Sequence, residues 1–236
     1  MKKIRIIIVS VLAITLWSAC ENDGFYYQDE PRVRLKGPYE WALNTDSLEF
    51  SFASSPSTVT KQEMLMTLHV MGNPVNKDRV ANLELVSAQS TATSSQYSIP
   101  LQVTVPANQL TVDFTVDLLR TVELQEKTVR LYIKLAESAD FKTGVVEQDH
   151  FLFKWNDVLS KPKNWETELK SVFGEYSLVK YRFMIDILDT ATFSSETMSW
   201  AELNNYKIKM RNALTAYNEA HPTEPLKDEN GQLVSF

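Results

Sequence analysis

Between residues 32 and 155, apolar and polar side chains alternate repeatedly with a period of two. In TVDFTVDLL, Val112, Phe114, Val116 and Leu118 fall on one side, and Thr111, Asp113, Thr115 and Asp117 on the other. That is the pattern of a strand with one buried face. KTVRLYIKLAES sets Val129, Leu131, Ile133 and Leu135 against Arg130, Tyr132 and Lys134, and MLMTLHVMG aligns Met64, Met66, Leu68 and Val70. RVRLK, SLEFSFA, NLELVSA, LQVTV and DHFLFKW are further runs of this kind, separated by turn formers such as Ser54-Ser55-Pro56, Gly72-Asn73-Pro74 and Pro106-Ala107-Asn108. Short strands at this spacing predict a mainly β chain, in which residues 32–155 form an Ig-like antiparallel β-sandwich.

The period changes after Trp155. WETELKSVFG places Trp165, Leu169, Val172 and Phe173 on one helical face, with Asn164 as N-cap and Gly174 as the stop. SLVKYRFMIDIL returns to alternation, with Val179, Tyr181, Phe183, Ile185 and Ile187 on one side, and so predicts a strand. Ser199 and Glu202 are spaced as a capping box. Leu203, Tyr206, Met210, Leu214 and Tyr217 follow at helical spacing, and Pro222 ends the helix. DENGQLVSF reads as a turn and a short strand. Residues 156–236 are therefore expected to form a small α+β C-terminal region.

The start of the chain has neither period. Lys2, Lys3 and Arg5 precede a nearly unbroken apolar run from Ile6 to Leu16, followed by Ser18 and Ala19. This order predicts a secretory signal peptide over residues 1–19. The apolar run is about half the roughly 20 residues needed to span a bilayer. Leu16-Trp17-Ser18-Ala19-Cys20 resembles a bacterial lipobox, with Leu16 one position early and Trp17 where the pattern has Leu, Val or Ile. The resemblance implies lipid attachment at Cys20 and makes residues 20–31 a lipidated tether. Several acyl chains hold a protein stably at a membrane where one would be marginal. Glu21 and Asp23, with Asp29 and Glu30, resemble the acidic export signal of Bacteroidota lipoproteins. That resemblance implies an outer-membrane anchor facing the extracellular side.

Composition narrows the partners. The 236 residues are 44% hydrophobic and 23% charged, an ordinary globular balance, and the 6 glycines argue against phosphate-cradling loops. Cys20 is the single cysteine, so no intramolecular disulfide forms and the core depends on apolar burial. The formal charge is −6; without Lys2, Lys3 and Arg5 it becomes −9, from 21 basic and 30 acidic residues. Such a surface repels phosphate backbones, which excludes nucleic acid as an expected partner.

No motif carries catalysis, and neither cofactor nor metal is expected. His69, His150 and His221 are widely spaced and form no HxH or HExxH. Ser177-Leu178-Val179-Lys180 has the letters of SxxK, but that chemistry needs a helix start and the segment alternates like a strand. Asp228-Glu229-Asn230-Gly231 lacks the alternating ligands of a calcium loop and reads as a turn. Asp113 and Asp117 sit on an exposed strand face. Trp155, Trp165 and Trp200 are expected mostly in packing. Trp41, in the loop-like GPYEWALN beside Tyr39, is the candidate ligand-binding residue, since exposed aromatics stack on sugar rings and anchor partners. Asp46-Ser47-Leu48 and Asp189-Thr190-Ala191 resemble the sites at which Bacteroidota glycosylate exported proteins.

Several stretches together carry a wider resemblance: FYYQDEPRVRLKGP, YSIPLQVTVPANQLTVDFTVDLLRT, LYIKLAESADFKTG, DHFLFKWNDVLSKPKNWE, FGEYSLVKYRFM and AYNEAHPTEPLKDENGQLVSF. Over nearly the whole chain after Cys20 they resemble a family of uncharacterised Bacteroidota surface lipoproteins encoded beside SusC/SusD-type nutrient uptake systems. The central stretch also resembles Calx-β modules, without a matching set of calcium ligands. The family resemblance implies a non-enzymatic accessory lipoprotein. Its partners would be a SusC-like TonB-dependent transporter and a SusD-like lipoprotein, and it would handle an oligopeptide or a glycan. The alternative expectation is a free-standing surface glycan-binding lipoprotein, and a hydrolase is a third.

Overall fold

The computed structural model describes residues 30–38 and 45–236. The eight alternating runs become strands, joined by two short strands outside them, β5 and β9; in chain order the strands are β1 (Arg32–Lys36), β2 (Ser47–Ser51), β3 (Lys61–Met71), β4 (Arg79–Leu85), β5 (Tyr97–Ser98), β6 (Gln102–Val105), β7 (Thr111–Leu119), β8 (Val129–Ala136), β9 (Lys142–Thr143) and β10 (His150–Asn156). They form two five-stranded sheets, ordered β5-β7-β3-β1-β9 and β2-β10-β8-β4-β6. The predicted inner faces meet between the sheets. Met64, Met66, Leu68, Phe114, Val116 and Leu118 from one sheet share a core with Leu131, Ile133, Phe151, Phe153 and Trp155 from the other. The protein is thus mainly β, an Ig-like sandwich followed by a smaller, helix-bearing C-terminal part.

Two ladders depart from the antiparallel expectation. β2 runs parallel to β10 over five residue pairs, from Leu152↔Ser47 to Asn156↔Ser51, and β9 runs parallel to β1 at Arg32↔Lys142 and Val33↔Thr143. The chain leaves the first sheet after β1 and enters the second at β2, so early and late segments become neighbours along one edge. Gly144 is needed at this edge. A Cβ there would lie 2.4 Å from Met71 Cε and 2.7 Å from the Val33 carbonyl oxygen, inside van der Waals contact.

The C-terminal part departs further. A π-helical turn at Trp165–Leu169 leads into α1 (Lys170–Phe173), then come α2 (Leu178–Leu188) and α3 (Trp200–Ala220). The expected strand over SLVKYRFMIDIL is therefore helix α2. Its apolar residues fit both periods, because Tyr181, Met184, Ile185 and Leu188 also recur at helical spacing. Local chemistry decides: the Ser177 hydroxyl accepts the Lys180 amide as an N-cap, and Asp189 closes the helix in the left-handed conformation at φ 52°. The tail supplies one antiparallel bridge, Lys227↔Leu233, instead of a strand. Asn164 caps nothing with its side chain; its amide donates to Phe193 O at 2.8 Å. The Ser199–Glu202 capping box forms as expected.

Trp165, Phe173, Tyr181, Met184, Phe193, Leu203 and Met210 build a second core. An ion network ties it to the sandwich. Asp157, 2% exposed, accepts from Arg120 Nε and Nη2, each at 2.9 Å, and from Arg182 Nη2 at 2.9 Å. Both guanidinium groups also donate to carbonyls of the segment after β2: Arg120 to Pro56 O at 2.6 Å, Arg182 to Ala53 O at 3.1 Å. From α2, Asp186 accepts the Ser57 amide at 2.6 Å and its hydroxyl at 3.0 Å. No helix among the described residues is long and apolar enough to cross a membrane.

Candidate functional site

Alternation in β1 sends Val33 and Leu35 into the core, so Arg34 and Lys36 stay on the outer face. The antiparallel ladder with β3 sets Arg34 opposite His69. At the same edge the chain crosses between sheets twice, from β1 to β2 and from β9 to β10. A cleft of about 610 Å3 opens there, lined by Arg34, Lys36, Asp46, His69, Gln148 and His150 among others.

Several of these groups are held in place. Arg34 Nη1 donates to Gln148 Oε1 at 2.8 Å. His150 has Nδ1 2.8 Å from Asp149 Oδ1 and Nε2 3.5 Å from Asp46 Oδ2. Its ring stacks on Tyr132, with centroids 5.1 Å apart and planes 13° from parallel. Burial, reinforced by the positive charges of Arg34 and Lys36, pushes the His69 imidazole below its ordinary 6.5, against the opposing pull of Asp113. Burial and the carboxylates of Asp149 and Asp46 push the Tyr132 phenol up.

Among the described residues of the lining, Arg34 and Lys36 come from β1, and Asp46 and Glu147 from the two crossings. Leu35 and Phe151 are 5% and 1% exposed, so these large apolar side chains of the lining present almost no surface. Among the described residues, Arg34, Lys36, Asp46, His69, Gln148 and His150 bring polar groups to the wall.

A second cavity, of about 380 Å3, lies where the sandwich meets the helices, with Leu159, Val179, Arg182, Phe183, Tyr217 and Leu226 in its wall. Its polar members Asp157, Arg182 and Asp186 are engaged by the joint described above. That cavity belongs to the seam between the two cores.

Cys20 and Trp41, the lipid-attachment and ligand-binding candidates, lie outside the described residues, as does Tyr39. His69 and His150 meet in the cleft despite their separation in sequence. His221 is elsewhere, stacked on Tyr217 at the end of α3. The SxxK letters do sit at a helix start, contrary to the strand reading. Lys180 Nζ, however, donates to Phe173 O at 3.0 Å and Glu175 O at 2.6 Å, and the Ser177 hydroxyl is occupied by the Lys180 amide. The pair is thus a cap and a strut.

Among the described residues no three His, Cys, Asp or Glu side chains gather in a way that would hold a metal ion. Asp228 organises a turn, its Oδ1 accepting the amides of Asn230 and Gln232. Trp155 and Trp165 are fully buried, whereas Trp200 is 62% exposed, outside the packing expected of it. Ser47 and Thr190, of the two glycosylation-like triplets, are both half-buried. Asp46 entered the sequence reading only within a glycosylation-like triplet, and Arg34 and Gln148 were not singled out; no local signal marks that pair, whose members are 114 positions apart.

No curated protein matches the chain. Solved structures it resembles include a carbohydrate-binding-like protein from Bacteroides ovatus, at 8% identity and a TM-score of 0.37, over 54% of this chain and 37% of that one. Another is a two-domain protein of unknown function from Bacteroides fragilis, at 15% identity and a TM-score of 0.39, over 56% and 46%. A third is a multidomain protein including DUF1735 from Bacteroides ovatus, at 16% identity and a TM-score of 0.38, over 52% and 44%. The chain spans less than half the length of each of these structures. A family model described as a domain of unknown function, DUF4843, matches residues 25–190, well over half of the sequence, and the chain belongs to that family.

Proposed function

We propose that this protein is a non-enzymatic lipoprotein on the outer face of the outer membrane. It serves as an accessory subunit of a SusC/SusD-type TonB-dependent nutrient importer, capturing an oligopeptide or glycan or organising the complex. The observation that carries this reading is the segment 2–20 with the acidic residues behind it: cations, a short apolar run, small residues, then the chain's one cysteine. Lipid on Cys20 anchors the protein, and the residues up to Pro31 tether the sandwich. The polar cleft supports a capture role, because it is a concave surface lined with converging polar groups.

Two measurements test the reading. Cys20→Ala is expected to leave the outer-membrane fraction; an unchanged distribution overturns the anchor. A tagged pull-down from detergent-solubilised outer membranes, followed by mass spectrometry, is expected to recover a transporter and a SusD-like partner in stoichiometric amounts. Recovery of the protein alone moves the assignment to the second reading, a free-standing glycan-binding lipoprotein.

A further inference from the structure

The cavity of about 380 Å3 at the seam lies at the Asn156 end of β10, the far end of that strand from Asp46 and the cleft beside β1. We infer that it binds the N-terminal residue of a peptide, taking an apolar side chain into the cavity and the ammonium group at Asp186. This goes beyond the role proposed above, since it needs neither the lipid anchor nor a transporter. The first observation is α2 itself. Tyr181, Met184 and Ile185 are buried in the second core, while Val179, Phe183 and Asp186 recur at helical spacing on the other side and line the cavity. A helix with apolar residues on both faces is ordinarily covered on both. Here Val179 and Phe183 are only half-buried, as are Leu159, Tyr217 and Leu226 in the same wall, so apolar surface is left for a guest. The volume is at the lower end of the small-molecule range, which suits one residue better than a run of them.

The second observation is a carboxylate with capacity to spare. Asp186 is exposed and accepts the Ser57 amide and hydroxyl, both neutral donors. A carboxylate offers about four acceptor sites, so some remain for a guest. Arg182, one turn earlier, directs its guanidinium to Asp157 and to Ala53 O instead, and among the described residues no ion pair reaches Asp186. An ammonium group carries three donors and makes charge-assisted bonds to such an anion. Phe183 and Asp186 are neighbours on one helix face, which sets the anion beside the apolar wall, as ammonium and side chain sit together in an N-terminal residue. Gln125, exposed in the same wall, both donates and accepts, as does the first peptide group of such a ligand. Phe183 is also partly set in advance, edge-to-face with Tyr217 at 5.9 Å, which limits the ordering cost of binding. At longer range the formal charge of −6 favours a cation.

The test is direct binding by the full chain in lipid nanodiscs, with no free detergent to compete for an apolar cavity and no transporter present. Saturation-transfer NMR titrations, with empty nanodiscs as the blank, compare Phe-Gly-Gly amide and Leu-Gly-Gly amide with their N-acetylated forms and with Gly-Gly-Gly amide. The expected result is binding of the free-amine Phe or Leu peptide, about threefold or more above its acetylated form, with the Gly peptide silent. Phe183→Ala should weaken binding about tenfold, through lost apolar contact. Val179→Thr keeps the shape of the wall and should weaken binding in the same direction should Phe183→Ala perturb the fold. Asp186→Asn keeps an oxygen for the Ser57 amide and should erase the preference for the free amine. Ile187→Ala, on α2 but outside the wall, should change nothing. Absence of binding by both free-amine peptides overturns the inference. So does equal binding of the acetylated forms, a free-amine preference that survives Asp186→Asn, or binding that both wall variants leave intact.

Discussion

At the scale of single residues, the edge that carries the cleft is constrained by contact and by charge. Gly144 leaves no room for a methyl group against the Val33 carbonyl and Met71. Gly144→Ala is therefore expected to lower stability by about 1–3 kcal/mol, the ordinary cost of overpacking, measured by urea denaturation. Beside it, His69 binds its proton more weakly in the folded chain than in the unfolded one, because of burial and of Arg34 and Lys36. The unfolded state thus holds more protons just below pH 6.5, so His69's contribution is present above that value and is lost as pH falls through the lower folded value. A two-dimensional NMR titration should place the His69 midpoint below 6.5, and Arg34→Met should move it upward; a midpoint at or above 6.5 contradicts the account. Trp165 is fully buried, and its indole NH donates to Gly174 O at 3.1 Å. Alternation and helical spacing mark such residues as apolar, but only packing shows which ones nothing else can replace.

At the scale of elements, periodicity was a sound guide wherever one period fitted. β3, β7 and β8 bury the faces read from their alternation. α2 was misread because its apolar positions satisfy two periods, and the deciding signals were its caps, Ser177 and Asp189. Ser177→Ala removes the acceptor for the Lys180 amide and is expected to cost about 1 kcal/mol, read as a lower thermal midpoint. The capping box of α3 gives a test with a sign. Hydrogen bonds from the Ser199 amide and hydroxyl hold the Glu202 carboxyl below its ordinary 4.5. Its stabilising contribution is full above that value and is lost as pH falls through the lower folded value. The stability difference between the wild type and Glu202→Ala should accordingly shrink on acidification from pH 7, measured by denaturation at each pH.

At the scale of the whole molecule, two apolar cores meet at one buried carboxylate. Asp157 is shared by Arg120, from the end of β7, and Arg182, from α2, and both guanidinium groups grip the segment after β2. Removing the shared anion leaves two cations facing each other with little solvent. Asp157→Ala is expected to destabilise the protein by about 3 kcal/mol or more. Because this network joins the two cores, tryptophan fluorescence and far-ultraviolet circular dichroism should then report separate transitions where the wild type gives one. Coincident transitions in the variant would show that the seam holds through its apolar contacts.

The boundary between what sequence and structure each decided follows from the range of the interactions. Alternation, helical spacing and caps act within a few residues, so eight of the strands, the buried faces of β3, β7 and β8 and the start of α3 were legible directly. The apolar run before Cys20 is likewise a local pattern, and the membrane reading rests on it. The parallel pairing of β2 with β10, the Arg120–Asp157–Arg182 joint and the meeting of Arg34 with Gln148 join positions far apart in the chain. None leaves a local trace, because a polar residue on an exposed strand face has the same pattern whether it faces water or a partner. The helix at α2 lies between these cases: its pattern allowed two answers, and the caps together with burial against Trp165 and Phe193 selected one.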